Sequence, residues 1–503
     1  MRLPPYAARK PVFWCHQAGL SCFGLTQIMP GQLGRVGFRC LLLACLVLSS
    51  GCTTQRAPEN EAISRVDTSA GYRAPRHWQV LGDSGNTVLL AFSGGGVRAA
   101  ALSYGVMQEL RDTLLVNGET SVSVLDDVDV ISAVSGGSFT AAYYGLYRER
   151  LFEDFEKDFL RLGVQQALIR QLFNPMHWIR SGFMGFNRTE MTIDYYNRIM
   201  FAGATFNDLA ERGPPLVVIN ATDLAGGTRV PFTQGFFDIL CTDLGTYPLA
   251  RAVTASSAVP IAFPPVVLEN HAGNCGFSDT FAAKQLAAIE AQSTVQQGLL
   301  EGIKSYSDAQ RRKYIHLVDG GIGDNLGLRS LIDRVEAVNL QDMGALADSQ
   351  VRNILVILVN AEVKPDLLIE QSYSSPSVST TMAAVSSTQF SNYNRETLDR
   401  LSQRLAQIER HAEEHELPTR VYFSQVSFEH IKSREINRVL NSMPTTLALE
   451  DIDVDRLIVA GRLILRNEPA FQAFKTRNHA RLTEDALSEE VLCDYYEHPT
   501  CNR

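Results

Sequence analysis

Short apolar runs alternate with amphipathic segments along much of this 503-residue chain. The apolar runs are TVLLAFS, VDVISAVS, PPLVVINAT, KYIHLVDG and RNILVILVN, and the first two are followed by VRAAALSYGVMQELRDTL and SFTAAYYGLYRERL. Apolar runs of this length fit strands that are covered on both faces, and the longer periodic segments fit helices that connect parallel strands. The alternation therefore predicts the α/β class, with a central and largely parallel sheet.

The amino-acid composition and net charge indicate which classes of partner this chain can bind. Hydrophobic residues make up 45% of the chain and charged residues 20%, which is typical of a globular protein. The formal net charge is −9 at pH 7, and because the first 52 residues contain no Asp or Glu, the remainder is more acidic still. An acidic chain without a run of Lys or Arg lacks the basic surface that nucleic acids require. We therefore expect no nucleic-acid partner.

The N-terminal stretch has the layout of an export signal. Arg35 and Arg39 precede the apolar run CLLLACLVL, and small residues then lead to Cys52. The run is too short to span a bilayer, although an uncleaved anchor helix is the alternative interpretation. Small residues before a Cys resemble the bacterial lipobox, in which the Cys is acylated and becomes the new N-terminus. We predict a lipoprotein-type signal peptide over residues 1–52, with Met29 as a candidate start.

The lipobox resemblance implies a location as well as a modification. Cys52 would hold the protein on a membrane through its lipid. The expected location is the bacterial cell envelope, on the outer membrane and facing the periplasm.

Cysteine usage is compatible with an oxidising compartment. The cysteines that follow the junction are even in number, namely Cys241, Cys275, Cys493 and Cys501. Three pairings are possible, and proximity in sequence favours Cys241 with Cys275 and Cys493 with Cys501. Four buried free thiols are the alternative. No spacing resembles a zinc site, so no metal and no cofactor is expected.

Changes of composition along the chain suggest its domain organisation. Residues 53–75 are polar and predict a tether, residues 76–365 predict the α/β domain, and residues 366–503 predict a mainly helical extension packed on that domain. Helical insertions are expected at about 150–205 and 279–312. The first insertion contains the aromatic stretch LFNPMHWIRSGFMGFN, which either packs the insertion onto the body or forms an apolar patch for lipid.

A glycine-rich turn follows the first apolar run. Gly94, Gly95 and Gly96 stand between strand and helix, with Arg98 in the first helical turn. Residues without side chains let backbone N–H groups face outward beside the positive end of the helix, so the loop predicts an anion site. The G-x-G-x-x-A spacing also fits a relaxed dinucleotide fingerprint, which expects an acidic residue at the end of the next strand. That strand ends at Ser135 instead.

The stretch around Ser135 predicts strand, sharp turn and helix, which is how a nucleophilic serine is exposed above a sheet edge. The residues AVSGG fill the G-x-S-x-G pattern with Ala133 in the first position. The structural alternative is that Ser135 belongs to an ordinary turn or caps a helix.

Histidines and carboxylates are the side chains that could act as a base for this serine. Late histidines would suit a Ser-His-Asp triad, but none stands at a convincing strand end; they are His411, His415 and His430. Asp319 does follow an apolar strand directly, within DGGIG, where it faces the carboxyl edge of the sheet. His316 on that strand is interpreted as a packed strand residue.

The order GGGVR, SAVSGG and DGG resembles the patatin-like phospholipase family, whose motifs are G-G-G-x-R/K, G-x-S-x-G and D-G-G/A. Further family-like stretches are FNDLAERGPPLVVINATDLAGG and TASSAVPIAFPP, and the resemblance spans roughly residues 85–345. It departs from the family at Ala133 and at Ala99, where a further Gly is usual after the Arg.

The resemblance implies a three-layer α/β/α fold and a Ser-Asp dyad, with residues 76–365 as the catalytic domain. Asp319 would take the proton of Ser135, which attacks an ester carbonyl and forms an acyl-enzyme. The glycine-loop amides, with Arg98 nearby, would stabilise the oxyanion. The expected activity is a phospholipase A or lysophospholipase type of lipid acyl hydrolysis. The alternatives are a catalytically silent envelope lipoprotein and an esterase of soluble esters.

Overall fold

The computed structural model describes residues 56–73, 85–117, 120–163, 187–260, 262–280, 283–284, 294–332, 351–364, 369, 373–431 and 433–483, all within the unit Thr54–Arg503. Its strands are β1 (Glu61–Ala62), β2 (Asn86–Phe92), β3 (Thr113–Asn117), β4 (Thr120–Ser123), β5 (Val128–Val134), β6 (Leu216–Asp223), β7 (Arg229–Pro231), β8 (Thr242–Asp243), β9 (Val266–Glu269), β10 (Tyr314–Val318), β11 (Asn353–Asn360), β12 (Arg420–Ser427) and β13 (Arg481–Leu482).

Its α-helices are α1 (Val97–Arg111), α2 (Gly136–Tyr147), α3 (Leu151–Phe155), α4 (Arg188–Tyr196), α5 (Phe206–Arg212), α6 (Gln234–Phe237), α7 (Leu249–Ser256), α8 (Thr294–Ser305), α9 (Gly321–Asp324), α10 (Val378–Glu414), α11 (Arg434–Ser442), α12 (Asp451–Asn467) and α13 (Pro469–Arg477). Short 3₁₀ turns lie at Arg148–Arg150, Phe277–Asp279 and Phe428–His430, and single π-helical turns at Glu156–Leu160 and Asn197–Phe201.

The central sheet is mixed and mostly parallel. Its strand order is β12-β11-β2-β5-β6-β10-β9, with β7 paired to β6. The first five strands run parallel to one another, whereas β10 is antiparallel to both β6 and β9. Every residue of β2, β6 and β11 is buried, so other elements cover both faces of the sheet. The predicted α/β class is confirmed, and the five apolar runs are five of its strands.

The segment predicted as a tether differs from that prediction. Within residues 56–73, β1 pairs with β8, Tyr72 is fully buried, and Arg73 forms an ion pair with Asp238 at 2.6 Å. Parts of this segment therefore pack on the body of the domain, while many of its other described residues are exposed.

The C-terminal region is mainly helical, but it also completes the sheet. β12 pairs in parallel with β11 along its whole length. The helix α10 buries Leu401, Leu405 and Ile408 along one face. The boundary predicted at residue 365 therefore does not separate the sheet from the extension.

The predicted insertions are helical where they are described. In the first, α3 and the π turn Glu156–Leu160 precede the gap and α4 follows it. In the second, α8 is described. The aromatic stretch between residues 171 and 186 lies outside the described residues.

Candidate active site

Ser135 stands at the junction of β5 and α2, in a backbone conformation that is rare for a residue with a side chain. Its φ is 48° and its ψ is −121°. A positive φ at a non-glycine residue costs free energy, so surrounding contacts must hold it. The amide of Ser135 donates to Ser256 Oγ at 2.8 Å, and Ser256 Oγ in turn donates to the carbonyl oxygen of Asn220 at 2.6 Å. The last residue of α7 thus fixes the turn.

The turn also depends on close approach of neighbouring backbones. A Cβ on Gly136 would lie 1.9 Å from the carbonyl oxygen of Gly96, and a Cβ on Gly137 would lie 2.7 Å from Phe92 Cβ. Only glycine fits at position 136, because the neighbouring carbonyl oxygen belongs to the backbone and cannot move aside. Ala133 is fully buried within β5. The small residues of AVSGG therefore bring the start of α2 against the glycine loop.

Asp319 faces Ser135 across this turn. Ser135 Oγ donates a hydrogen bond of 2.9 Å to Asp319 Oδ2, and the amide of Gly321 donates to Asp319 Oδ1 at 2.8 Å. The backbone of the aspartate is also fixed, since its amide donates to the carbonyl oxygen of Ala258 at 2.9 Å. The serine hydroxyl and one carboxylate oxygen are therefore aligned for direct proton transfer.

Burial changes the acidity of this carboxyl group. Desolvation raises the pKa of Asp319 to about 6, and the hydrogen bonds from Gly321 and Ser135 oppose that rise. A carboxylate with a pKa near neutrality is a stronger base than an exposed aspartate, yet it remains mostly ionised at pH 7.

The strand β10 brings Asp319 to the site by a route that differs from the predicted one. Because β10 is antiparallel to β6, its carboxyl end would ordinarily point to the opposite edge of the sheet. The two strands overlap only at Leu317 with Asp223 and Val318 with Thr222, at the carboxyl end of β6. Most of β10 therefore lies beyond the carboxyl end of β6, and the strand runs toward the centre of the sheet. It ends there, and Asp319, the next residue, contacts Ser135.

The glycine loop lies beside the serine. Gly94 is adjacent to Ser135, but its amide donates to the carbonyl oxygen of Asn325 at 2.9 Å. The amide of Val97 donates to the carbonyl oxygen of Thr446 at 3.0 Å. Within the described part of the chain, the amides of Gly95 and Gly96 have no hydrogen-bond acceptor. The predicted set of three amides is thus reduced to two that are available to a ligand.

Arg98 is buried instead of facing the site, which corrects its predicted position. Only 3% of Arg98 is exposed. Its Nε donates to the carbonyl oxygen of Ala361 at 2.9 Å, its Nη1 to that of Met443 at 2.7 Å, and its Nη2 to Thr445 Oγ1 at 3.0 Å. Burial lowers the pKa of Arg98 to about 10. These donors join the glycine loop to the C-terminal region, because a buried cation must satisfy its N–H groups.

No cysteine or histidine among the described residues forms a hydrogen bond with the side chains of Ser135 and Asp319. Cys241 and Cys275 form a disulfide with an S–S distance of 2.07 Å, whereas Cys52, Cys493 and Cys501 fall outside the described residues. His316 lies on β10 opposite Val267. Among the described residues, the hydroxyl of Ser135 bonds to Asp319 and to no histidine, and no cluster of three or more His, Cys, Asp or Glu residues is arranged to hold a metal ion.

The described part of the fold contains a narrow crevice. It lies beside α7, whose last residue binds the Ser135 amide, and its lining residues are Thr192, Tyr196, Thr254, Ser257, Phe263 and Leu447. The hydroxyls of Thr192, Thr254 and Ser257 donate to backbone carbonyls of their own helices. The hydroxyl of Tyr196 is buried and has no hydrogen-bond partner among the described residues. The surface of the crevice is therefore mainly apolar, and the Tyr196 hydroxyl is the polar group in it that has no hydrogen-bond partner among the described residues.

The sequence did not indicate every residue that contacts the turn around Ser135 or the glycine loop. Asn220 is a buried polar residue that directly follows the apolar residues LVVI of β6, and that contrast is a signal that could have marked it. Its Nδ2 donates to Ser132 Oγ at 3.0 Å and to the carbonyl oxygen of Ala133 at 3.2 Å. Ser256 and Thr446 act through backbone contacts between distant segments, for which no local pattern exists.

Comparison with known proteins gives a family match and several structural matches. Residues 90–332 match the family profile described as Patatin-like phospholipase. Ten chains of solved structures match. One of them, "Human GIVD cytosolic phospholipase A2", shares 11% sequence identity at a TM-score of 0.31, and the match covers 60% of this chain and 48% of that chain, about half its length. Among curated proteins, no match is found.

The α/β fold and the serine at its sheet edge define a class of hydrolase-like proteins. Residues 90–332, just under half of the chain, belong to the patatin-like phospholipase family. The family that the three ordered motifs indicated is thus confirmed, while the signal peptide and the lipoprotein nature stay predictions.

Proposed function

We propose that the protein is a lipid acyl hydrolase of the phospholipase A or lysophospholipase type. The observation that supports this most is the 2.9 Å hydrogen bond from Ser135 Oγ to Asp319 Oδ2, at a serine whose φ is positive. A strained turn that presents a hydroxyl to a raised-pKa carboxylate suits a nucleophile better than a structural turn. Patatin-like phospholipases are generally serine hydrolases, which favours the same assignment.

In the proposed reaction, Asp319 accepts the Ser135 proton as Ser135 Oγ attacks the ester carbonyl carbon. The tetrahedral intermediate collapses, the alcohol leaves with the proton held by Asp319, and the acyl group stays on Ser135. Water then gives a proton to Asp319 and attacks the acyl-enzyme, and collapse releases the fatty acid and returns the proton to Ser135. Two residues thereby perform the roles that a triad divides among three.

The amides of Gly95 and Gly96 are the proposed oxyanion donors. They stand between Ser135 and the start of α1, where the partial positive charge of the helix adds to their effect. Each preorganised donor typically contributes about 3–4 kcal/mol to transition-state stabilisation. Gly94 and Arg98, which the sequence also indicated, use their N–H groups within the fold.

The test is a comparison of wild type and Ser135→Ala on a panel of phospholipids, lysophospholipids and a short soluble ester. We expect Ser135-dependent release of fatty acid from the lipid substrates. Activity on the soluble ester alone would favour the esterase alternative, and binding of lipid vesicles without hydrolysis would favour the silent lipoprotein.

The proposed location is the cell envelope, with the protein anchored through a lipid on Cys52 to a membrane that also supplies its substrate. This part rests on the sequence of the leader. In the part of the chain that the structure describes, no helix has both the length and the apolar character needed to cross a bilayer.

A further inference from the structure

The C-terminal strap, defined as residues 443–447, lies directly on the glycine loop although it is far outside the family-matched residues 90–332. The carbonyl oxygen of Thr446 accepts the amide of Val97 at 3.0 Å. A Cβ on Gly96 would lie 2.2 Å from that same oxygen, and Gly96 has a φ of 62°. The strap and the loop are thus in backbone contact, which only glycine at position 96 allows.

Arg98 makes the second connection between the strap and the loop. Its Nη1 and Nη2 bind Met443 and Thr445 of the strap, and its Nε binds Ala361, the residue that follows β11. The planar guanidinium has its donors in a fixed arrangement, so these contacts set the orientation of the first turn of α1.

The helix that follows the strap in sequence, α12, packs along α1. α12 crosses α1 so closely that a Cβ on Gly105 would lie 2.1 Å from the carbonyl oxygen of Ile458. Farther along, Arg462 and Arg466 form buried ion pairs with Asp112 at 2.6 Å and Glu109 at 2.7 Å. α12 therefore packs along the middle and far end of α1, away from the contacts that the strap makes with the first turn.

The contact has a chemical consequence. The first N–H groups of a helix have no partner within the helix and are available to an anion. The N–H of Val97 donates to the carbonyl oxygen of Thr446, and the N–H of Gly94 donates to the carbonyl oxygen of Asn325. The amides of Gly95 and Gly96, which lie between these two residues in sequence, are left for a ligand.

We propose that Arg98 is a positioning residue that locks the C-terminal strap onto the glycine loop, so that the strap determines which amides face the developing oxyanion. This inference rests on the proposed function. It assigns part of the active-site architecture to a segment beyond the family-matched region.

The test compares Arg98→Ala, Arg98→Lys and Thr445→Val with a control, Arg462→Lys. The control also weakens a buried arginine contact between α1 and the C-terminal region, but at the far end of α1, on the order of 20 Å away at 1.5 Å per residue. For Arg98→Ala we expect kcat to fall roughly 10- to 100-fold with KM unchanged, because a misplacement of about 1 Å can cost that much. Arg98→Lys and Thr445→Val should lower kcat by a smaller factor, and KM should again be unchanged.

Wild-type kcat in a folded Arg98→Ala protein would overturn the proposal. An equal loss of kcat in Arg462→Lys would also overturn the proposal, because the fall in kcat would then result from a general loss of stability. If the wild type itself lacks Ser135-dependent hydrolysis, the proposed function fails, and amide hydrogen exchange then tests the strap alone. In that experiment Arg98→Ala should speed exchange at Val97, and unchanged protection there would refute the lock.

Discussion

Ser256 at the end of α7 holds the backbone of Ser135, because its hydroxyl accepts the Ser135 amide at 2.8 Å. The two residues are 121 positions apart in sequence. The same hydroxyl donates onward to the carbonyl of Asn220 on β6. A single side chain thus connects the strained turn to the neighbouring strand.

Replacing this hydroxyl should impair both folding and chemistry. Ser256→Ala leaves the buried Ser135 amide without its acceptor, so we expect a loss of about 1–3 kcal/mol in the free energy of unfolding, together with a lower kcat. Chemical denaturation and steady-state kinetics measure the two effects. Ser257→Ala is the matched control, because the Ser257 hydroxyl bonds only within its own helix, and it should change both quantities little. Equal behaviour of the two variants would contradict the assignment.

The raised pKa of Asp319 predicts a specific pH profile. Because the base must be ionised, kcat/KM should rise with pH through about 6 and level off above it. Asp319→Asn should abolish hydrolysis, whereas His316→Ala should retain it. An Asp319→Asn protein with full activity would exclude the aspartate as the base.

The same pKa predicts how stability changes with pH. The folded pKa of Asp319, about 6, lies above the ordinary aspartate pKa of 3.8, so the native state holds this proton more tightly than the unfolded chain. The contribution to stability is therefore present below about pH 4 and is lost as pH rises through 6. Asp319→Asn should flatten the unfolding free energy over this window, and an unchanged slope would contradict the shift.

Two buried tyrosines should respond in opposite directions to loss of their hydroxyls. The Tyr196 hydroxyl has no partner among the described residues, so Tyr196→Phe should raise the free energy of unfolding by about 1 kcal/mol. The Tyr72 hydroxyl instead accepts the Val217 amide at 2.7 Å and donates to the Val217 carbonyl at 3.1 Å. Tyr72→Phe should therefore lower stability by about 1–3 kcal/mol. Chemical denaturation of both variants measures the two changes. A loss of stability in both variants would show that the Tyr196 hydroxyl has a hydrogen-bond partner.

The disulfide between Cys241 and Cys275 closes a loop with a sequence separation of 34 residues. Chain entropy alone predicts that its removal costs roughly 4 kcal/mol. Non-reducing peptide mapping should find this pair, and the prediction for Cys493 with Cys501 is tested in the same digest. Alkylation of Cys241 in the native, unreduced protein would exclude the pair.

The lipid anchor is tested by intact mass. The exported protein should begin at Cys52 and carry acyl chains, and Cys52→Ser should block that maturation. An unmodified chain that retains residues 40–51 would refute the signal-peptide prediction.

Much of the centre of the fold could be read from the sequence because its determinants are local. Apolar runs predicted β2, β5, β6, β10 and β11, and glycine-rich turns after three of them indicated Ser135 and Asp319. The structure places those two side chains in hydrogen-bond contact.

The remaining features depend on contacts between distant segments. The direction of β10 is set by its pairing with β9 and β6, and an apolar run has no direction of its own. Arg98 looked like an oxyanion donor because its position in the motif is local, whereas its partners near Met443 lie 345 residues away. The run RVYFSQVS, which forms β12, mixes polar with apolar residues, as an edge strand does. It lacks the continuous apolar character by which the other strands of the sheet are predicted.

The strand order also determines what a shortened chain would expose. β2 is buried along its whole length and pairs with β11, which is synthesised more than two hundred residues later. At about 5–20 residues per second, a ribosome needs on the order of 10–50 s to supply that partner after β2 has emerged. During this interval the apolar strand has an open edge, which is a site for pairing with other chains. A fragment that ends at residue 332 would keep this open edge permanently, so the family-matched region should aggregate when it is expressed alone.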